Sequence, residues 1–151
     1  TFIGQNLGAK EYDRTKKGAL FGTICGIGIA EVIGIAVFFF SPYLIAAFGG
    51  DQKAIEYGIA EAHTIALFYC LLAFSHCMAA IQRGAGRSIV PMFVMMLVWC
   101  GVRVTYISIV IRIIPVINVI YWAYPLTWFI SSVIFLILFL KTDWIHGLEK
   151  Q

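Results

Sequence analysis

The chain has 151 residues, 61% of them hydrophobic and 13% charged, with a mean hydropathy of +0.89, against about 45–50% apolar and about 25% charged in soluble domains. A soluble domain of this size has too little interior to hide that much apolar surface, so the composition excludes one and predicts an all-α integral membrane protein. The formal net charge of +3 is small, and Lys and Arg gather at segment ends instead of on one face, which argues against a nucleic-acid partner.

Residues 1–17 begin at Thr1 without a charged-then-apolar leader, and the chain reads as cut from something longer. Within this arm, Lys10, Arg14, Lys16 and Lys17 alternate with Glu11 and Asp13, as expected of a solvated helix on a membrane surface. The first apolar segment, 18–40, exceeds the ~20 residues needed to cross hydrocarbon. Gly18, Gly22, Gly26, Ala30 and Gly34 recur every four residues along it, a helix-packing stripe that lets another backbone approach closely. Gly26 and Gly28 do not make a dinucleotide fingerprint, because no strand precedes them.

Ser41-Pro42 through Glu56 reads as a loop, with Gly49-Gly50-Asp51 as its turn. A second span covers 57–81, and small residues (Ala66, Cys70, Ala73, Cys77, Ala80) smooth one of its faces. Then comes Gln82-Arg83-Gly84-Ala85-Gly86-Arg87-Ser88 with Pro91, a basic hinge in which Gly84, Gly86 and Pro91 end one helix and start the next. The third span runs 88–111 and the fourth 117–140, with Pro125 as an expected kink. Residues 141–151 form a tail anchored by Lys141, Asp143 and Trp144.

Four spans place both ends on one side. The arm, the joint and the tail carry eight Lys and Arg, the opposite loops two, so the ends and the joint are expected to be cytoplasmic. Cys25, Cys70, Cys77 and Cys100 all lie in apolar runs and read as small packing residues, without disulfide or metal spacing. His76 reads as a packing histidine, and Glu61, His63 and Arg112 as interface residues near the outer surface. The spans hold no nucleophile–base pair and no cluster of His and acidic ligands, so neither an enzyme, a metal site nor a cofactor is expected.

Several motifs occur in order along the chain: Gly4-Gln5-Asn6-Leu7-Gly8-Ala9 before the basic arm; Arg83-Gly84-Ala85-Gly86-x-Ser88-x-x-Pro91; Trp99-x-x-x-Arg103; and Trp122-Ala123-Tyr124-Pro125-Leu126-Thr127-Trp128. Together they resemble the multidrug and toxic compound extrusion (MATE) transporters, and the resemblance covers essentially the whole chain. It implies the end of the eighth helix and helices nine to twelve of a twelve-helix antiporter with two facing halves. Such a protein exports organic cations or amphipathic drugs in exchange for sodium ions or protons. The implied partners are the lipid bilayer, the missing N-terminal helices and small-molecule drugs, and the implied place is the plasma (inner) membrane of a bacterium, multi-pass. Some sodium-coupled members carry an acidic residue midway along the tenth helix, where this chain has Phe68 to Phe74 and no carboxylate. The coupling ion therefore stays open between sodium and proton.

Glu31 and Arg103 are the two charges deep inside spans, where charges are costly and usually paired or functional. They lie thirteen and fifteen residues from the cytoplasmic ends of their spans, or ~20 and ~22 Å at the helical rise. At one level they are expected either to pair with each other or, for Glu31, to act as an ion-coupling site. Tyr69, Trp99, Tyr124 and Trp128 are candidate cavity residues, because aromatic faces suit cationic or flat ligands. The rival readings are a flippase for lipid-linked saccharides, which would want more than the one basic residue Arg103 in its cavity, and a stand-alone four-helix membrane scaffold assembling through its glycine stripe.

Overall fold

A computed structural model describes residues 1–145, and helices are its sole regular elements. They are α1 (Phe2–Gly8), α2 (Tyr12–Ala47), α3 (Gln52–Ala66), α4 (Tyr69–Gly84), α5 (Ile89–Met95), a π-helical stretch (Met96–Val102), α6 (Arg103–Ile113) and α7 (Asn118–Lys141). Three rods are long and apolar enough to cross a membrane: α2, the continuous Ile89–Ile113 rod, and α7. Together, α3 and α4 meet the same test as one span bent by 59°.

The arm is not a separate surface helix. α1 is short and ends where Lys10 takes φ +60, with Lys10 N–H donating to Leu7 O (3.0 Å) and Glu11 N–H to Asn6 O (2.8 Å), the double bond of a left-handed helix cap. The basic run then forms the first turns of α2, at 36 residues longer than any bilayer requires. Arg14 lies over the Phe2 ring at 6.0 Å, and that ring covers Gly18.

The expected loop at Ser41-Pro42 is also helical. A proline in mid-helix leaves the carbonyl four residues earlier without its donor. Here the Ser41 hydroxyl donates to that carbonyl, Phe38 O, at 3.2 Å, so α2 continues to Ala47. It stops at Gly49 and Gly50, whose φ values of +73 and +135 suit glycine, and Asp51 starts α3 by accepting the Ala54 N–H at 2.7 Å.

The second span, expected as one helix over 57–81, is broken at Leu67–Phe68. No Gly or Pro marks the break; it is paired with α2 instead. Gly34 sits against the Ala66 carbonyl, where a Cβ would collide with backbone. Farther along the stripe, Gly26 lies against Cys77 Sγ, whereas Gly22 has nothing beside it and Ala30 is half-buried.

The joint after α4 is a Schellman cap: Gly86 at φ +80 donates to Arg83 O (3.1 Å) and Arg87 N–H to Gln82 O (2.9 Å). Gly84 lets α1 cross close by, with Ile3 and the Gly4 backbone against it. Pro91 lies buried in the first turn of α5, where no helical donor is lost. Arg87 Nη2 donates to Asp143 O at 2.8 Å and ties the joint to the end of α7. α1, the joint and the α7 end therefore meet at one end of the bundle, over a core of Leu7, Met78, Ile81, Phe135 and Trp144. Of the expected tail, residues 146–151 lie outside the described residues.

Gly34→Ala is expected to destabilise the protein by about 1–3 kcal/mol, the cost of overpacking, and Gly22→Ala to stabilise it by about 0.5–1 kcal/mol. Thermal unfolding of the full-length protein in detergent compares the two, and equal shifts would remove the Gly34–Ala66 contact as the reason for the stripe.

Candidate functional site

Two polar assemblies lie inside the apolar bundle, one on each side of the first turns of α4. The first is at the break. Cys70 N–H, in the opening turn of α4, donates to Glu31 Oε2 at 3.1 Å. The first N–H groups of any helix have no intrahelical partner, and its N-terminus carries a partial positive charge. In hydrocarbon no water can serve them. Glu31 supplies both an acceptor and a negative charge from the neighbouring helix, one turn before Gly34, which admits the Ala66 carbonyl.

The second assembly joins α4, the π-helical stretch, α6 and α7. Ser75 Oγ lies 2.9 Å from Ser131 Oγ and 3.0 Å from Ser132 Oγ, all three buried. Ser132 donates to Leu71 O (3.1 Å) and Ser131 to Trp128 O (3.0 Å). Trp99 Nε1 donates to Ser131 Oγ at 3.2 Å, and its ring meets His76 edge-on at 5.2 Å. Arg103 Nη2 donates to Thr127 Oγ1 at 2.6 Å, while Thr127 bonds to the carbonyls of Ala123 (2.9 Å) and Tyr124 (3.0 Å). The guanidinium carbon stands 4.3 Å from the Tyr124 ring centre and 5.9 Å from that of Trp99. Tyr69 and Tyr124 each meet Trp128 edge-on, at 6.1 and 6.2 Å.

Thus the four aromatic candidates Tyr69, Trp99, Tyr124 and Trp128 are brought together with Arg103 in one connected cluster. The expected Glu31–Arg103 pair does not form. Glu31 instead accepts from Cys70 N–H, and Arg103 donates to Thr127 and stands against the Tyr124 and Trp99 rings. The residues that sequence reasoning missed are Ser75, Ser131, Ser132 and Thr127. Four hydroxyls inside apolar runs are a weak signal, since each can bond its own helix backbone. The π-helical stretch was missed as well; such turns gather at functional sites, and this one sets Trp99 within it and Arg103 at its end.

Elsewhere, Phe38 stacks on His63 at 4.3 Å, which joins α2 to α3. Two apolar clefts, of about 490 Å³ beside Phe2, Gly22 and Cys77 and about 430 Å³ beside Lys16, Phe74 and Trp144, lie at the end of the bundle where α1 and the joint meet. Neither borders Arg103. The chemistry-bearing residues line neither cleft: Ser75, Thr127, Trp128, Ser131 and Ser132 are buried, and Tyr69, Trp99, Arg103 and Tyr124 are half-buried beside them. Among the described residues no group of three or more His, Cys, Asp or Glu is placed to hold a metal.

Glu31→Ala is expected to cost about 1–2 kcal/mol, as loss of a helix-capping acceptor does, and Glu31→Gln less, because an amide oxygen can still accept. Hydrogen exchange of peptides spanning 67–72 reads the effect locally: faster exchange in Glu31→Ala than in Glu31→Gln is expected, and no change in either would mean that α4 does not need the carboxylate.

A family model described as MatE matches residues 1–109 of the chain, from α1 through the π-helical stretch into α6. No curated protein matches it.

Proposed function

The chain belongs to the MatE family, and on that premise we propose that it forms part of a secondary active exporter that exchanges organic cations or amphipathic drugs for sodium ions or protons. It is a membrane transporter by family. The finer reading rests on one observation: a span broken at mid-course, held by a carboxylate, beside a cluster of aromatic rings and one arginine. Discontinuous helices of this kind place helix ends and charges where ions and substrates bind in secondary transporters.

In this reading Glu31 is the coupling residue. A proton or a sodium ion that neutralises it weakens its hold on the α4 N-terminus and lets the bend between α3 and α4 change. A carboxylate at a helix N-terminus is worth up to ~2 kcal/mol in a partly buried site, whereas turning a 1:99 population of two states into 99:1 takes ~5.5 kcal/mol. Glu31 alone therefore biases the exchange between inward- and outward-facing states, and substrate contacts supply the rest. The remaining helices of the transporter would face the aromatic cluster and close the cavity. The meeting of α1, the joint and the α7 end on one side supports a multi-pass protein with both ends in the cytoplasm of a bacterial cell, in its inner membrane.

The rivals fit less well. A scaffold assembling through its glycine stripe needs that stripe free, but Gly18, Gly26 and Gly34 are already covered by Phe2, Cys77 and Ala66. A flippase for lipid-linked saccharides handles a diphosphate, for which Arg103 is a single cation.

The test is drug export from cells that express the full-length gene product carrying these residues. Glu31→Gln is expected to lower export at least tenfold with the amount of protein in the membrane unchanged. Parallel losses of protein and export would reduce Glu31 to a structural cap, and export unaffected by both sodium and proton gradients would overturn the antiport reading.

A further inference from the structure

We propose that the Arg103 cluster binds a monoanionic aromatic amphiphile, a flat ring system bearing one carboxylate, in preference to a permanent organic cation. The inference rests on the transporter reading and narrows its substrate class. Aromatic faces attract cations through their negative ring quadrupole, and at Tyr124 and Trp99 a cation is already in place. The Arg103 guanidinium stands 4.3 and 5.9 Å from the two ring centres and is tied to Thr127 at 2.6 Å. An incoming organic cation has to meet that charge or expel it.

The guanidinium itself is short of acceptors. It has five N–H donors; one bond goes to a neutral hydroxyl, and Nε is buried without a partner. Its partners among the described residues are that hydroxyl and two rings, none of them an anion. Glu31, the other charge at this depth, is bound to Cys70 across α4. A carboxylate is the group a guanidinium fork fits best, through two parallel bonds.

The rings around Arg103 are held in advance. Trp99 is fixed by Ser131 and flanked by His76, and Trp128 is flanked by Tyr69 and Tyr124. A flat ligand that placed its carboxylate on Arg103 would lay its ring system along the half-buried rings of Trp99 and Tyr124, with Trp128 buried behind Tyr124, at little ordering cost. One arginine matches one negative charge. A lipid diphosphate, with two or more, would leave charge unmatched.

Two probes with the same ring and chain length separate the possibilities: 1-pyrenebutyrate and the corresponding pyrenylpropyl trimethylammonium ion. Their uptake is followed in proteoliposomes holding the full-length protein under imposed sodium or proton gradients. The wild-type protein is expected to handle the carboxylate at least tenfold more effectively, in kcat/KM, than the ammonium ion. Arg103→Gln is expected to reverse that order, and Arg103→Lys, which keeps the charge without the fork, to fall between. The wild-type comparison needs no variant, so a misfolded Arg103→Gln protein leaves the proposal testable. Equal or better handling of the ammonium ion by the wild type would overturn it, as would stronger competition by a lipid-linked diphosphate than by pyrenebutyrate. Movement of neither probe under either gradient would overturn the transporter reading and this inference with it, whereas movement of the ammonium ion alone would overturn only the inference.

Discussion

Backbone amides and carbonyls inside hydrocarbon must find partners within the protein, and this requirement shapes the bundle at every irregular point. The break between α3 and α4 is the severest case, since it frees helix-end groups in mid-span. Glu31 answers the first turn of α4, and the absent side chain of Gly34 lets α2 come close enough for that contact. Ser41 answers the carbonyl that Pro42 leaves unpaired. Without such partners, each irregularity would cost several kcal/mol, more than the packing of one apolar helix on another returns where lipid competes equally well for the same faces.

On the other side of α4 the same requirement is met by hydroxyls. Ser75, Ser131 and Ser132 share hydrogen bonds among themselves and with Leu71 O and Trp128 O, and this buried group fixes Trp99. Thr127 does the same for Arg103. In a medium of low dielectric, buried hydroxyls linked in this way specify one arrangement of helices, where apolar side chains alone would slide. The arginine is the costly member, and the rings of Tyr124 and Trp99 offset part of the cost through cation–π attraction.

Much of this was legible in the sequence, and what was not has physical reasons. Hydropathy identified the membrane class because twenty apolar residues in a row have few other uses. Basic residues and glycines located the joint, since Gly86 needs its positive φ and Arg83 and Arg87 shun hydrocarbon. The four aromatic candidates fell together because each belongs to a polar-tipped residue type in an apolar run. The break at Leu67–Phe68 left no local trace: Ala66-Leu67-Phe68-Tyr69 is apolar throughout, and its cause sits on another helix, in Glu31 and Gly34. Loops expected from Ser41-Pro42 failed for a similar reason, as one hydroxyl restores what the proline removes. The Glu31–Arg103 pairing failed because depth along a helix says nothing of azimuth around it.

The two assemblies share one helix. α4 offers Cys70 N–H to Glu31, Leu71 O to Ser132, and a Ser75 hydroxyl whose one proton serves Ser131 or Ser132, all within its first two turns. Ser131 in turn accepts from Trp99, which flanks Arg103. In the proposed exchange, neutralising Glu31 would act on the same turns that anchor the hydroxyl group, a few bonds from the guanidinium. Contiguity alone is a spatial relation and not yet coupling. What gives it physical force is the break itself, because at Leu67–Phe68 the regular helix is interrupted and the axis turns by 59°. Both the Cys70–Glu31 bond and the Ser75–Ser131 contact hang on the two turns that follow that break. On the exchanger reading, that shared helix is the element through which an occupant of one assembly would be felt at the other, as exchange of an ion for a substrate requires.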